Sequence, residues 1–185
     1  MENLIIRNVK IEDIPSVVDI SITGWQAAYQ GIIDNQYLEN LNSERDQRIS
    51  KMENNYMSSG FIVAELDNQV VGFCRYVDNN NYSPTIVEAD CELTVLYVKP
   101  DLKGCGIGSK LFEYVLNEFS KLNKNLMVLW CFKDNAPTIK FYEKMGGRII
   151  DEKIKKHGGK ENTEVCFAYN VKELTTKKST NLGSR

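Results

Sequence analysis

The sequence predicts a mixed α/β (α+β) domain, with helices flanking a single sheet, and three observations predict it. A run rich in β-branched and aromatic residues, "CELTVLYV" (Cys91–Val98), closes at Pro100 and is followed by a glycine cluster, then by a segment with helical spacing. Two further apolar runs, "GFIVAEL" and "QVVGFCRYV", meet at Asp67-Asn68, the chemistry of a tight hairpin turn. Taken along the whole chain, the elements fall in the order β-α-α-β-β-β-α-β-α-β-β.

Each element has its own reason. "LIIRNV" (residues 4–9) reads as the first strand. Asp13 then stands where it can cap a helix carrying Ile14, Val17, Val18, Ile22 and Trp25 on one face, with Pro15 in the permissive first turn. A second helical stretch is expected from about Asn35 to Asn54, with a break near "NSER", where Ser43 offers a fresh cap. The hairpin follows, and the polar loop "DNNNYSPT" leads into the strand that ends at Val98. After the glycines, Leu111, Phe112, Val115, Leu116, Phe119 and Leu122 recur at three- and four-residue intervals, which places them on one face of a helix. "LMVLWCF" (Leu126–Phe132) reads as a buried strand, "NAPTIKFYEKMGG" as a helix with a glycine stop, and "EVCFAYNV" as the last strand. The final "TTKKSTNLGSR" is polar and nearly free of apolar residues, so residues 173–185 are expected to be a disordered tail and residues 1–172 a single domain.

Composition narrows the function. The 185 residues suit one domain, and the formal net charge of −2 argues against a nucleic-acid-binding surface. No apolar run approaches the roughly 20 residues needed to span a bilayer. With the acidic, polar lead at Met1-Glu2-Asn3, this predicts a cytoplasmic protein with no membrane partner. The five cysteines, Cys74, Cys91, Cys105, Cys131 and Cys166, form no C-x-x-C pair and read as reduced core residues. The single histidine, His157, lies in the charged stretch "KIKKHGGKEN" and is expected at the surface. One histidine and no clustered thiols leave no basis for a metal site or a Ser-His or Cys-His hydrolase.

The glycine cluster is the informative motif. At a strand-to-helix junction the first helical amides lack internal partners and the helix dipole points its positive end outward, so a phosphate site is the natural reading. A glycine-rich turn that merely packs closely is the other. A nucleotide P-loop fails, because no glycine has the required spacing before a Lys-Ser or Lys-Thr pair. A dinucleotide fingerprint is weak, because Ser109 stands where the third glycine belongs. Lys103-Gly104-Cys105-Gly106-Ile107-Gly108 instead resembles the Arg/Gln-x-x-Gly-x-Gly/Ala loop of the GCN5-related N-acetyltransferases, with lysine in the first position. A second segment supports the first. Asn135, Phe141-Tyr142-Glu143-Lys144 and Gly146-Gly147 look like the family's N-x-x-A-x-x-F-Y-E-K-x-G-F segment, except that Pro137-Thr138 displaces the alanine and Gly147 replaces the usual aromatic.

The resemblance covers residues 4–172 and implies the acyl-CoA N-acyltransferase fold, a mixed, twisted sheet splayed at its centre so that coenzyme A enters between two strands. It implies acetyl-CoA as donor, its pyrophosphate on the backbone from Lys103 through Gly104, Cys105, Gly106, Ile107 and Gly108 to Ser109. A backbone amide among Leu96, Tyr97 and Val98 would bind the thioester oxygen. Glu92 stands where several members carry a glutamate that takes the proton from the amine, directly or through water; the plain alternative is a solvent-facing side chain. Tyr142 stands where the family tyrosine reaches the coenzyme sulfur and can protonate it, or is a core tyrosine. Asn135 can cap its helix, bond the pantetheine, or both. Direct attack by an uncharged amine needs only that deprotonation, an oxyanion donor and a proton for the thiolate.

The acceptor is expected to be a small-molecule primary amine, with protein N-terminal or lysine acetylation as the alternative and a non-catalytic acyl-CoA-binding module as a third reading. Because dimers are common in the family, a homodimer is expected. "EADCEL" adds one further expectation. If Glu88, Asp90 and Glu92 alternate on one strand face, they form an acidic rail that favours a polyamine.

Overall fold

The protein is described here by a computed structural model covering residues 3–56 and 60–175. Within these, strands β1 (Leu4–Asn8), β2 (Phe61–Leu66), β3 (Gln69–Val77), β4 (Cys91–Val98), β5 (Leu126–Phe132), β6 (Arg148–His157) and β7 (Lys160–Asn170) form one sheet in the order β1-β2-β3-β4-β5-β7-β6. Helices α1 (Ile14–Tyr29), α2 (Asn35–Asn40) and α3 (Arg45–Glu53) pack on one face, and α4 (Ile107–Lys121) and α5 (Ala136–Lys144) on the other. The element order expected from the sequence is the one observed, with the second helical stretch split in two.

Every strand pairing is antiparallel except β4 with β5, and that pair holds only at Cys91↔Met127 and Glu92↔Val128. Beyond it the strands diverge, leaving Leu93–Val98 unpaired on that side, about 20 Å of strand at roughly 3.3 Å per residue. The expected central splay is therefore present. Its local cause is a bulge: Tyr76 pairs with Leu93 and Arg75 with Val95, so Thr94 is an extra residue whose hydroxyl donates to the Arg75 carbonyl at 3.0 Å. A bulge sharpens twist and turns the outer half of the strand away from its neighbour. It also resets side-chain parity. Leu93 before the bulge, and Leu96 and Val98 after it, pack on the α4 side, while Val95 and Tyr97 pack against α1.

The α4 stripe behaves as its spacing demands: Leu111, Phe112, Val115, Leu116 and Phe119 are buried, and only Leu122, at the C-cap, is exposed. Asp67 and Asn68 both take positive φ, as the hairpin turn requires. Two expected caps differ. Asp13 occupies the cap position of α1, but its carboxylate accepts from Arg7 Nη1 at 2.7 Å, Arg7 Nη2 at 2.9 Å and the Lys10 amide at 2.7 Å. The Ser43 hydroxyl donates back to the Asn40 carbonyl, and α3 starts two residues later. Residues 171–175 form a helical turn in which the Thr175 hydroxyl donates to the Val171 carbonyl. The rest of the expected tail, residues 176–185, lies outside the described residues.

Candidate active site

The splay places a cleft between β4 and β5, and ladder parity decides which backbone groups face it. The Lys99 amide donates to the Val71 carbonyl, and in an antiparallel ladder hydrogen-bonded pairs recur every second residue. The amides of Val95 and Tyr97 therefore point at β3, whereas those of Leu96 and Val98 point into the cleft. Of the three amides expected to serve the thioester oxygen, Tyr97 is thus committed to the sheet and two are free.

At the end of the cleft stands the glycine loop. Gly104 and Gly106 have φ of 81° and 83°, a region that costs other L-residues about 1–2 kcal/mol. Gly106 is the N-cap of α4 and supplies no side-chain cap, so the first-turn amides of Ile107, Gly108 and Ser109 have no acceptor within the helix. The first bond of the helix runs from the Lys110 amide to the Gly106 carbonyl. Cys105 and Lys103 are differently placed: their amides donate to Leu102 and Pro100 carbonyls within the preceding turn, each at 3.4 Å. The loop abuts the open strand edge, because a Cβ built on Gly108 would lie 3.7 Å from Leu96 Cδ2 and 3.6 Å from Phe141 Cζ. Uncapped amides, a positive helix end and two free strand amides in one cleft suit the pyrophosphate and acyl group of acetyl-CoA.

On the α5 side, Asn135 is the helix N-cap, its Oδ1 accepting from the Thr138 amide at 3.3 Å. Tyr142 is buried against Phe112, Phe141 and Phe167. Burial pushes its hydroxyl well above the usual tyrosine range, so the group stays protonated and is available as a proton donor. The departure at Gly147 has a packing reason: a Cβ there would come within 2.5 Å of the Tyr169 ring, which fills that space and donates its hydroxyl to the Tyr142 carbonyl at 3.0 Å.

Glu92 lies at the closed vertex of the cleft, 4% exposed, with Oε2 lacking any hydrogen-bond partner among the described residues. It is not the solvent-facing glutamate of the plain reading. Burial raises its carboxyl pKa, while a hydrogen bond with Ser83 and the charges of Lys153 and Lys155 oppose the rise. Ser83 also receives the Trp130 indole N–H at 2.8 Å. The acidic rail does not form. Regular strand begins only at Cys91; Asp90 is spent on the Asn125 and Leu126 amides at the start of β5, and Glu88 is exposed. The carboxylates therefore lack the two-residue alternation that the rail required.

On the α1 face, aromatic side chains bridge the two diverging strands. The Tyr29 hydroxyl pairs with the Tyr97 hydroxyl of β4 at 3.0 Å, and its ring meets Phe132 of β5 edge-on at 4.8 Å. Trp25 packs on Tyr29 at 5.1 Å. His157 completes the group, its ring 4.9 Å from Phe132 and 6.3 Å from Trp25, with Nε2 at 2.9 Å from Glu164 Oε1. The charged stretch and Gly-Gly turn around His157 are surface chemistry, and on that ground the residue is expected at the surface. The hairpin tip in fact folds over α2, with Gly158 against Tyr37, and turns the histidine inward. Glu164, buried on β7, carried no local signal at all.

All five cysteines are free; Cys105 is exposed, unlike the core thiols Cys74, Cys91 and Cys166. Among the described residues no group of three or more His, Cys, Asp or Glu could hold a metal, and no helix is long and apolar enough to cross a membrane.

Comparison with known proteins settles the family. A sequence profile described as the acetyltransferase (GNAT) family matches residues 25–147, more than half of the chain. The chain belongs to the GNAT acetyltransferase family. It is an N-acetyltransferase with acetyl-CoA as donor. Among curated relatives, the spermidine N(1)-acetyltransferase of Thermoplasma acidophilum is 27% identical over 156 residues, covering 79% of this chain and 89% of the relative. Among solved structures, the PaiA N-acetyltransferase of Thermoplasma acidophilum in complex with coenzyme A has a TM-score of 0.68 at 22% identity, covering 88% of this chain and 98% of that one. A GCN5-related N-acetyltransferase from Rhodopseudomonas palustris has a TM-score of 0.73 at 17% identity, over 92% and 97%. These two likenesses are of fold.

Proposed function

We propose that this GNAT acetyltransferase transfers the acetyl group directly to a primary amine of a small molecule, with a polyamine as the first acceptor to test. The observation that carries direct transfer is the open edge of β4, where the Leu96 and Val98 amides face a cleft ending at the uncapped start of α4. In this reading the amides of Gly106 to Ser109 hold the pyrophosphate and Leu96 or Val98 donates to the oxyanion, in a site where preorganised donors act without reorganising. Glu92, whose buried carboxyl favours the protonated form more than usual, accepts a proton through water, and Tyr142 donates one to the thiolate. The polyamine suggestion rests on the relative from Thermoplasma acidophilum and not on the acidic rail.

The test is intact-mass analysis after incubation with acetyl-CoA and a panel of polyamines, monoamines and peptides. A small amine gaining one acetyl group supports the reading. A peptide product would assign the chain to protein acetylation instead, and binding without any product would assign it to acyl-CoA binding alone.

A further inference from the structure

Two groups suited to proton transfer lie on the α1 face of the sheet, and they differ in access. Glu92 sits opposite Val128, where β4 and β5 still pair, beneath Trp130 and Ser83. Glu164 sits opposite Phe132, about 13 Å further along β5 at roughly 3.3 Å per residue, where the cleft is open. Its Oε1 meets His157 Nε2 at 2.9 Å, and its Oε2 lies 3.6 Å from Lys153 Nζ. The histidine is held on every side: Phe132 of β5, Trp25 of α1 and Glu164 of β7 contact it, and the next residue, Gly158, rests on Tyr37 of α2. With the ring neutral, Nε2–H donates to the carboxylate, which fixes the tautomer and leaves Nδ1 with its lone pair available. Among the described residues Nε2 is the ring nitrogen with a hydrogen-bond partner, and the side chain is 18% exposed, which leaves Nδ1 unengaged.

We propose that His157, oriented by Glu164, takes the proton from the acceptor ammonium at the mouth of the cleft. The inference rests on the acetyltransferase reading above and replaces Glu92 in that one step. The acceptor's R–NH3⁺ gives a proton to Nδ1, forming R–NH2 and an imidazolium. The amine nitrogen then bonds to the thioester carbonyl carbon and the C–S bond breaks. The nitrogen loses its second proton to solvent, the thiolate takes one from Tyr142, Tyr142 regains one from solvent, and the imidazolium returns its proton to solvent, so one proton is released per turnover. The titratable and charged groups around the pair are Glu164 and Lys160 on β7, Lys153 on β6, Cys131 on β5, Tyr29 on α1 and Tyr37 on α2.

The experiment compares kcat/KM against pH for wild type, His157→Gln, His157→Phe and Glu164→Gln, with acetyl-CoA and spermidine as substrates. Acetyl-CoA affinity is measured by calorimetry and folding by thermal melting. A neutral base loses activity as pH falls and the imidazole gains its proton. Both His157 variants should therefore lose about ten- to a hundredfold in kcat/KM at neutral pH, less as rising pH deprotonates the amine in solution, with acetyl-CoA affinity kept. Glu164→Gln should lower kcat more than it raises KM. His157→Phe keeps the aromatic ring, so a fully active Phe variant beside an impaired Gln variant would make His157 a packing residue and overturn the proposal. Superimposable pH profiles would overturn it too. Wild-type protein that binds acetyl-CoA yet acetylates none of the tested amines would instead overturn the acetyltransferase reading, and this step with it.

Discussion

Gly106→Ala, paired with Gly31→Ala, separates backbone strain from ligand contact. Gly106 has φ of 83° and Gly31 of 79°, and a Cβ on either meets no atom within 4 Å. An alanine forced to keep that conformation costs about 1–2 kcal/mol at either position, with no steric contribution. For a chain of this size each kcal/mol lowers the melting temperature by roughly 2–4 °C, so both variants should melt about 2–8 °C below wild type. Their effect on acetyl-CoA should differ. Gly106 is the N-cap of α4, and relaxing its φ re-aims the amides of Ile107, Gly108 and Ser109, whereas Gly31 lies in the turn between α1 and α2. Calorimetric titration should show Gly106→Ala binding acetyl-CoA at least about tenfold more weakly, a loss of roughly 1.4 kcal/mol, with Gly31→Ala close to wild type. Equal affinities in the two folded variants would refute the assignment of the pyrophosphate to this loop.

Other predictions follow from the same site. Tyr142→Phe should lower kcat by about ten- to a thousandfold while acetyl-CoA affinity and melting temperature stay near wild type, because the ring keeps its contacts with Phe112, Phe141 and Phe167; an unchanged kcat with chemistry rate-limiting would make it a packing residue. Glu92→Gln tests burial as well as catalysis. Burial holds the folded carboxyl above its unfolded pKa, so ionisation costs stability as pH rises from the ordinary carboxylate range through the folded value. The glutamine variant should therefore melt higher than wild type at neutral pH, with the difference closing below the ordinary carboxylate range, as calorimetric scans across pH would reveal. Asp90→Asn should destabilise the fold by about 1–3 kcal/mol in urea titrations, because it weakens the acceptor for two strand amides, while Glu88→Gln leaves spermidine turnover unchanged.

The order of elements, the α4 stripe, the hairpin at Asp67-Asn68 and the glycine loop were all readable from the chain alone, because each depends on residues close in sequence. Spacing sets which face of α4 is apolar, and φ preference sets where glycine must stand. The same locality placed Glu92, Tyr142 and the loop on their elements. Three outcomes depended on groups far apart in the chain. The Thr94 bulge, visible only in the β3–β4 register, flipped side-chain parity and selected Leu96 and Val98 over Tyr97 as the free amides. Asp90 became a brace for the start of β5, across 35 residues, instead of a member of an acidic rail. His157 turned inward because its hairpin docks on α2 and meets the rings of Trp25 and Phe132 and the buried Glu164. Local sequence fixes what an element is and which residues share its face; strand register and tertiary docking decide what that face meets, and the proton chemistry of a side chain follows from what it meets.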